Sequence, residues 1–325
     1  MNAISLLRRL AGILALTAAW SPALAQATFP SKPIQFVVPY PPGGSNDIFA
    51  RAIGKRLAET FGKPVIVDNR SGAGGSVGAG LAAKAAPDGH TLVIVSSSFT
   101  TNAAVQTGLA FDPVKSFTPV ALVGKGPMIL AVAPTLPAKT AAEFFALARS
   151  KPGKLNYASS GPGSINQFAT ELLIHAAGIK MTHVPYKGMG PAVNDLIAGH
   201  VDVLIASVPS LMSQVKAGKA RGIGVTTFKA SPVAPGLPPL AEAGAKGYNV
   251  ELWWGVLAPA GVPKDIVAKL NTEINRALAT SEMKEFLVRE GAEPAPTSPE
   301  QFGTLIRSDI QRWHKVAKDA GIQPE

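Results

Sequence analysis

The sequence predicts an α/β protein of two doubly wound lobes joined by two chain crossings, and three observations predict it. Short, nearly all-apolar runs alternate with helical patterns, as strands do when helices cover both faces of a parallel sheet. That alternation occurs, pauses and starts again near residue 125. A lone strand then appears near residue 253, followed by helices only. One strand completes an existing sheet better than it makes its own. The chain is therefore expected to leave the first lobe, build the second and return, leaving a hinge of two strands and a cleft between the lobes.

"IQFVVPY" (Ile34 to Tyr40), "PVIVDN" (Pro64 to Asn69) and "TLVIVSSS" (Thr91 to Ser98) are the first strands. Between the first two, Ile48, Ala52, Ile53, Leu57 and Phe61 form one apolar stripe over Asp47 to Phe61, and Gly62 can stop that helix. "MILAVAP" (Met128 to Pro134) opens the second unit, and Thr140 with Glu143 caps the next helix. "LNYASSG", "THVPYKG", "VDVLIAS" and "RGIGVTT" are its further strands. The Pro- and Gly-rich passage from Ser231 to Tyr248 closes it. "VELWWGVLAP" (Val250 to Pro259) is the returning strand. Pro263 fits the first turn of the helix after it, and Ser298, Pro299 and Gln301 give the last helix a cap, an N1 proline and a capping partner. These signals assign residues 28 to 124 and 253 to 325 to the first lobe and 125 to 252 to the second.

Residues 1 to 25 read as a signal peptide: Arg8 and Arg9, an apolar middle, and "ALA" at Ala23 to Ala25. The apolar run from Leu10 to Trp20 is too short for a membrane span. Cleavage before Gln26 would lower the formal charge from +10 to +8, since the leader carries two arginines and no acid. With no cysteine in the chain, no lipid can be attached to one, and the exported fold relies on core burial without disulfides. Lys and Arg are scattered and lack interleaved aromatics, which argues against nucleic acid as a partner. The diffuse positive field favours anionic small molecules or a negatively charged membrane surface instead.

Ligands of open α/β sheets sit beyond the carboxyl ends of strands. Here those ends carry "YPPGGSND", "SSSFTTN", "SSGPGSIN", "YKGMGP" and "SVPS". All offer small residues, hydroxyls and free amides, and only Lys187 and Asp47 bring charge. Each loop alone is explained by turns and caps; their recurrence points to recognition of an oxyanion by hydrogen bonds. Glycines before a helix suit a phosphate or a carboxylate alike. Tyr40 and Tyr186, at strand ends, can wall a small pocket. "GGSVG" has the letters of a hydrolase elbow around Ser76 but does not follow a strand directly, which leaves a serine hydrolase as the rival reading. The five histidines show no paired spacing, so neither a metal nor another cofactor is expected.

"PYPPGGSNDIFAR", "NRSGAGGSVGA", "AKAAPDGHTL", "FDPVKSFTPVALVG", "NYASSGPGS", "VPYKG", "DLIAGHVDV" and "WWGVLAPAGVP" occur in order along the mature chain. Together they resemble the Bug family, the extracytoplasmic solute receptors of tripartite tricarboxylate-type transporters. The resemblance implies a type II periplasmic binding protein that takes a small carboxylate in its cleft, performs no catalysis and hands the solute to membrane transporter subunits. A monomer is expected, and service to a sensor kinase is the alternative. Carried over by motif, the ligand-binding set is Tyr40, Gly43, Gly44, Ser45, Asp47, Ser97, Ser98, Asn102, Ser159, Gly163, Ser164, Tyr186, Lys187 and Ser207. One position departs: the family often has His after the place of Asn166, where this chain has Gln167. The identity of the solute stays open among di- and tricarboxylates, aromatic acids, acidic amino acids and neutral amides.

Overall fold

A computed structural model describes residues 29–322; the leader read from the sequence lies outside them. Strands β1 (Ile34–Val38), β2 (Val65–Asn69) and β3 (Thr91–Ser96) are parallel, with β1 between the other two. Helix α1 (Ser45–Phe61) covers them with Phe49, Ala50, Ile53 and Leu57 buried, and Gly62 ends it at φ 64 with its N–H on Ala58 O. Each large apolar side chain buried this way contributes about 1.5–3 kcal/mol. The short helices α2 (Ser76–Ala83) and α3 (Ser98–Val105) follow β2 and β3.

The next strand is longer than the sequence suggests. β4 (Phe117–Val132) runs for 16 residues, whereas the sequence pattern marks a strand only from Met128. Pro119, Gly124, Gly126 and Pro127 interrupt the apolar run, and the chain absorbs them by register shifts at Pro119/Ala121 and Leu122/Gly124. Its partners change along its length. From Phe117 to Pro127 it pairs with β9 (Glu251–Pro259), and from Met128 to Val132 with β7 (Val203–Ser207). β8 (Arg221–Val225) also pairs with that second stretch.

In the second lobe β5 (Asn156–Ser159) lies parallel to β7 and to the edge strand β6 (Thr182–Pro185). Helices α4 (Ala141–Ser150), α5 (Ile165–Ala177), α6 (Met189–Ala198) and α7 (Val208–Lys216) connect them. Thr140 caps α4 by accepting from the Glu143 N–H, as its spacing predicts. Strand β9 returns the chain antiparallel to β3, between β3 and β4. After it come α8 (Lys264–Ala279), α9 (Ser281–Arg289), the two-residue β10 (Glu293–Pro294) on β4, and α10 (Pro299–Ala320), which opens with the predicted capping box of Ser298 and Gln301. Trp313 of α10 meets Phe168 of α5 edge-on, ring centroids 5.6 Å apart. The result is two doubly wound α/β lobes sharing one ten-stranded sheet.

Candidate functional site

The loop from Pro39 to Gly44 leaves β1 and enters α1 at the carboxyl end of the sheet. Its shape is set by Asp47, 4% exposed. The carboxylate accepts from the Gly43 N–H at 2.9 Å, from Asn69 Nδ2 at 3.1 Å and from Arg51, whose Nη2 is 2.9 Å away. Asn69 Nδ2 also donates to Tyr40 O at 3.1 Å. Burial opposes ionisation of Asp47, but hydrogen bonds from Arg51, the Gly43 amide and Asn69, with the charge of Arg51, hold the carboxyl below its usual range. Gly43 has φ 86, a left-handed conformation that glycine adopts freely. Gly44 is different: its φ is −80, and a Cβ there would meet only Pro41 O, at 3.9 Å.

Beside this loop opens a cavity of about 570 Å³. Tyr40 to Asn46, Ser96 and Ser98 line one side, and Ser160, Ile165, Asn166, Gly188 to Gly190, Ser207 and Ser210 the other. Met128, Leu252 and Trp254, from the two crossing strands, complete the lining. A second chamber of about 400 Å³ continues toward Ser71–Gly75, Asn102, Pro162 and Ser164, and both chambers touch Tyr40, Ser98 and Ser160. Tyr40 is the one lining residue with an ionisable side chain. Burial pushes its hydroxyl up, against the hydroxyls of Ser96 and Ser98. Trp254 is pinned by its indole N–H on Ser45 Oγ at 3.0 Å and by an edge contact to Phe49.

The structure therefore brings Tyr40, Gly43, Gly44, Ser45, Ser98 and Ser207 to the first chamber, and Asn102 and Ser164 to the second. The others stand behind or beside the walls. Asp47 is spent on the loop, as described. Ser97 accepts from the Trp253 N–H at 2.9 Å and so ties α3 to the returning strand. Ser159 is fully buried, with its hydroxyl 2.7 Å from His183 Nε2. Gly163 donates its N–H to Gln167 Oε1 at 2.9 Å. Tyr186 donates to Asp195 at 2.5 Å, and Lys187 is exposed off the cavity wall.

Lining residues that the motifs did not mark include Asn46, Met128, Ser160, Asn166, Met189, Leu252 and Trp254. Asn46, Ser160, Asn166, Met189 and Trp254 lay inside quoted stretches, and their neighbours could have drawn attention to them. Nothing distinguishes Met128 or Leu252 from core residues of an apolar strand.

Ser164 is the N-cap of α5: its hydroxyl donates to Gly161 O at 2.6 Å and accepts from the Gln167 N–H at 3.4 Å. Ser164→Ala is expected to cost about 1 kcal/mol of stability, read as a lower denaturation midpoint. Full retention of stability would leave that cap without energetic weight.

The walls offer hydrogen-bonding groups, amides and hydroxyls, and no carboxylate or imidazole lines either chamber to take a proton from a nucleophile. Ser76, the rival nucleophile, donates its hydroxyl to Ala73 O at 2.9 Å. It stands on the first turn of α2, and Gly78 two residues on packs so close that a Cβ would lie 2.6 Å from Arg70 O. Ser159 and His183 make a serine–imidazole contact, but the serine is fully buried and the other ring nitrogen faces the amide of Gln167. Among the described residues no group of three His, Cys, Asp or Glu side chains is placed to hold a metal.

Two lobes with such a cleft between them define a solute-binding protein. Residues 49–322 match the tripartite tricarboxylate transporter family receptors (TctC), and the chain belongs to that family. It is 35% identical to Protein BugT of Bordetella pertussis over 318 residues, 96% of each chain. Among solved structures it is similar to the Rhodopseudomonas palustris protein Rpa4515 with adipate, at 38% identity and TM-score 0.84 over 91% of this chain and 100% of that one. It is also similar to MatC of Rhodopseudomonas palustris with bound malate, at 35% identity and TM-score 0.78 over 89% and 99% of the two chains.

Proposed function

We propose that the protein captures a small carboxylate in the cleft and delivers it, without catalysis, to the membrane subunits of a tripartite tricarboxylate-type transporter, acting in the periplasm after loss of its leader. One observation carries this reading: the chambers join the amide-bearing loop at the start of α1 to serine hydroxyls on the facing lobe, with no charged side chain between. An anion there is held by aligned N–H groups and the helix dipole. Gly44, Ser45, Ser98 and Ser207 form the donor set of the first chamber in this reading, and Gly43, its N–H on Asp47, shapes the turn that presents them. Adipate and malate in two similar proteins support the carboxylate class. Apolar walls from Met128, Ile165, Met189, Leu252 and Trp254 favour a carboxylate with an apolar body over a heavily hydroxylated one.

A thermal series with adipate, malate, benzoate and nucleotides tests the reading. A ligand that binds only the native state stabilises it by about 2.7 kcal/mol at a hundred times Kd. At least one carboxylate is expected to raise the melting temperature, and adipate more than malate. Stabilisation by nucleotides alone would overturn the proposal.

A further inference from the structure

Behind the second-lobe wall lies a chain of contacts that solute recognition leaves unused. The imidazole of His183, on β6, stacks on Tyr157 of β5 with ring centroids 4.8 Å apart. Its Nε2 is 2.7 Å from Ser159 Oγ, and its Nδ1 is 3.4 Å from Gln167 Nε2. Beside the neutral ring Gln167 keeps its oxygen turned away, because that oxygen accepts from the Gly163 N–H at 2.9 Å. Nδ1 is therefore the acceptor, and the proton of the neutral ring sits on Nε2, donated to Ser159.

Gly163 is where the second lobe meets the first. It has φ 71, and a Cβ built there would lie 3.1 Å from Val105 Cγ2 and 3.4 Å from Asn102 Oδ1, both on α3. Protonation of Nδ1 would set a ring N–H against the Gln167 NH₂. Rotating that amide relieves the conflict but turns donors toward the Gly163 N–H, which then loses its acceptor.

We propose that His183 is a positioning residue of the solute site: acting through Gln167, it holds the Gly163 turn against α3 while neutral and releases it when protonated. The inference rests on the cleft being the solute site. The groups around the ring agree with a neutral resting state. Tyr157 presents its face, and the α5 carboxyl of Glu171, pushed up by burial, takes the Tyr157 hydroxyl. Lys180 and Lys187, on either side of β6, are exposed. Burial lowers His183 from its ordinary 6.5. The stability it contributes is thus present above that value and is lost as pH falls through the lowered one.

The test uses the protein without solute. Nitrogen NMR of the ring should show the neutral proton on Nε2. Protection of the Gly163 amide from hydrogen exchange, corrected for the intrinsic rate, should fall about tenfold between about pH 7.5 and about pH 5, with the midpoint of the His183 titration. His183→Gln keeps a donor for Ser159 and should flatten that profile. Gln167→Glu offers a carboxylate that accepts from both Gly163 and a protonated ring, so it should raise the His183 midpoint and also keep Gly163 protected. A flat profile in the wild type, an unchanged profile in either variant, or a neutral proton on Nδ1 would overturn the proposal. With no solute present, such a result counts against the switch alone; the thermal series decides solute binding separately.

Discussion

Gly126→Ala is expected to lower the melting temperature by about 5 °C, the cost of forcing a methyl into a filled space being about 1–3 kcal/mol or more. A Cβ on Gly126 would lie 2.3 Å from the carbonyl oxygen of Gly291 and 3.4 Å from Ala292 Cα. Both are backbone atoms, so no side-chain rotation can make room. The position matters as much as the clash. Gly126 pairs with Leu252 two residues before β4 changes partner at Met128, and the neighbouring Lys125 lies 3.8 Å from Glu251 across the same two strands. Displacing the strand here would disturb both crossings, so solute affinity should fall along with stability. Gly80→Ala supplies the contrast. It lies inside α2, its added methyl would meet Phe111 at an ordinary 3.6 Å, and alanine is the better helix former by about 1 kcal/mol. Equal melting temperatures for the two variants would show that the close approach at Gly126 relaxes freely.

Asp47→Ala is expected to weaken carboxylate binding about ten- to a hundredfold while leaving the lobes folded. The carboxylate is the common acceptor for the Gly43 amide, Asn69 and Arg51, and its removal leaves the Gly43 N–H without its acceptor and one Asn69 N–H unpaired beside the one on Tyr40 O. Each such donor costs about 1–3 kcal/mol, some of it recovered by water at the exposed loop. Asp47→Asn keeps one acceptor oxygen and should fall between wild type and Asp47→Ala in titration calorimetry. Because the folded carboxyl is held below its ordinary value of 3.8, the stability it contributes is present above that value and is lost as pH falls through the lower, folded one. Acid unfolding of Asp47→Ala should accordingly be shallower below pH 3.8 than that of the wild type. Wild-type affinity in Asp47→Ala would mean that the loop keeps its shape without the clamp.

Most of the scaffold is legible in the sequence because its strands are nearly all apolar and its helices end at glycines such as Gly62, Gly178 and Gly199, each with positive φ. The first half of β4 is not. Two prolines and two glycines over Pro119 to Pro127 carry the signature of a loop, and pairing with β9, with bulges, and with the two-residue β10 makes them a strand. At the candidate site, "YPPGGSN" stands out by composition, and the structure puts it on the cavity wall. Asp47 misleads, since a carboxylate at a helix start looks like a ligand group until its three donors are seen. Ser97 and Ser159 mislead likewise: a hydroxyl at a strand end can face the cleft or pair inward, and one residue of rotation decides which. Met128 and Leu252 give no signal, because the residues that floor a cavity and those that fill a core come from the same strands.

The place of β9 in the sheet bears on how the chain becomes a folded molecule. β9 lies between β3 and β4, yet it begins at Glu251, more than a hundred residues after β4 has begun. A chain emerging from its amino end can pair β1 with β2 and β3, and can assemble β5, β6, β7 and β8 around the far end of β4. It cannot join those two parts. Until Glu251–Pro259 arrives, one edge of β3 and the near half of β4 stand open, two templates for pairing with other chains. The long-range insertion of one late strand is slow by its loop-closure entropy. The nascent chain thus has its period of greatest aggregation hazard after the second lobe is complete, and it ends only when a nine-residue strand slots into the middle of a waiting sheet.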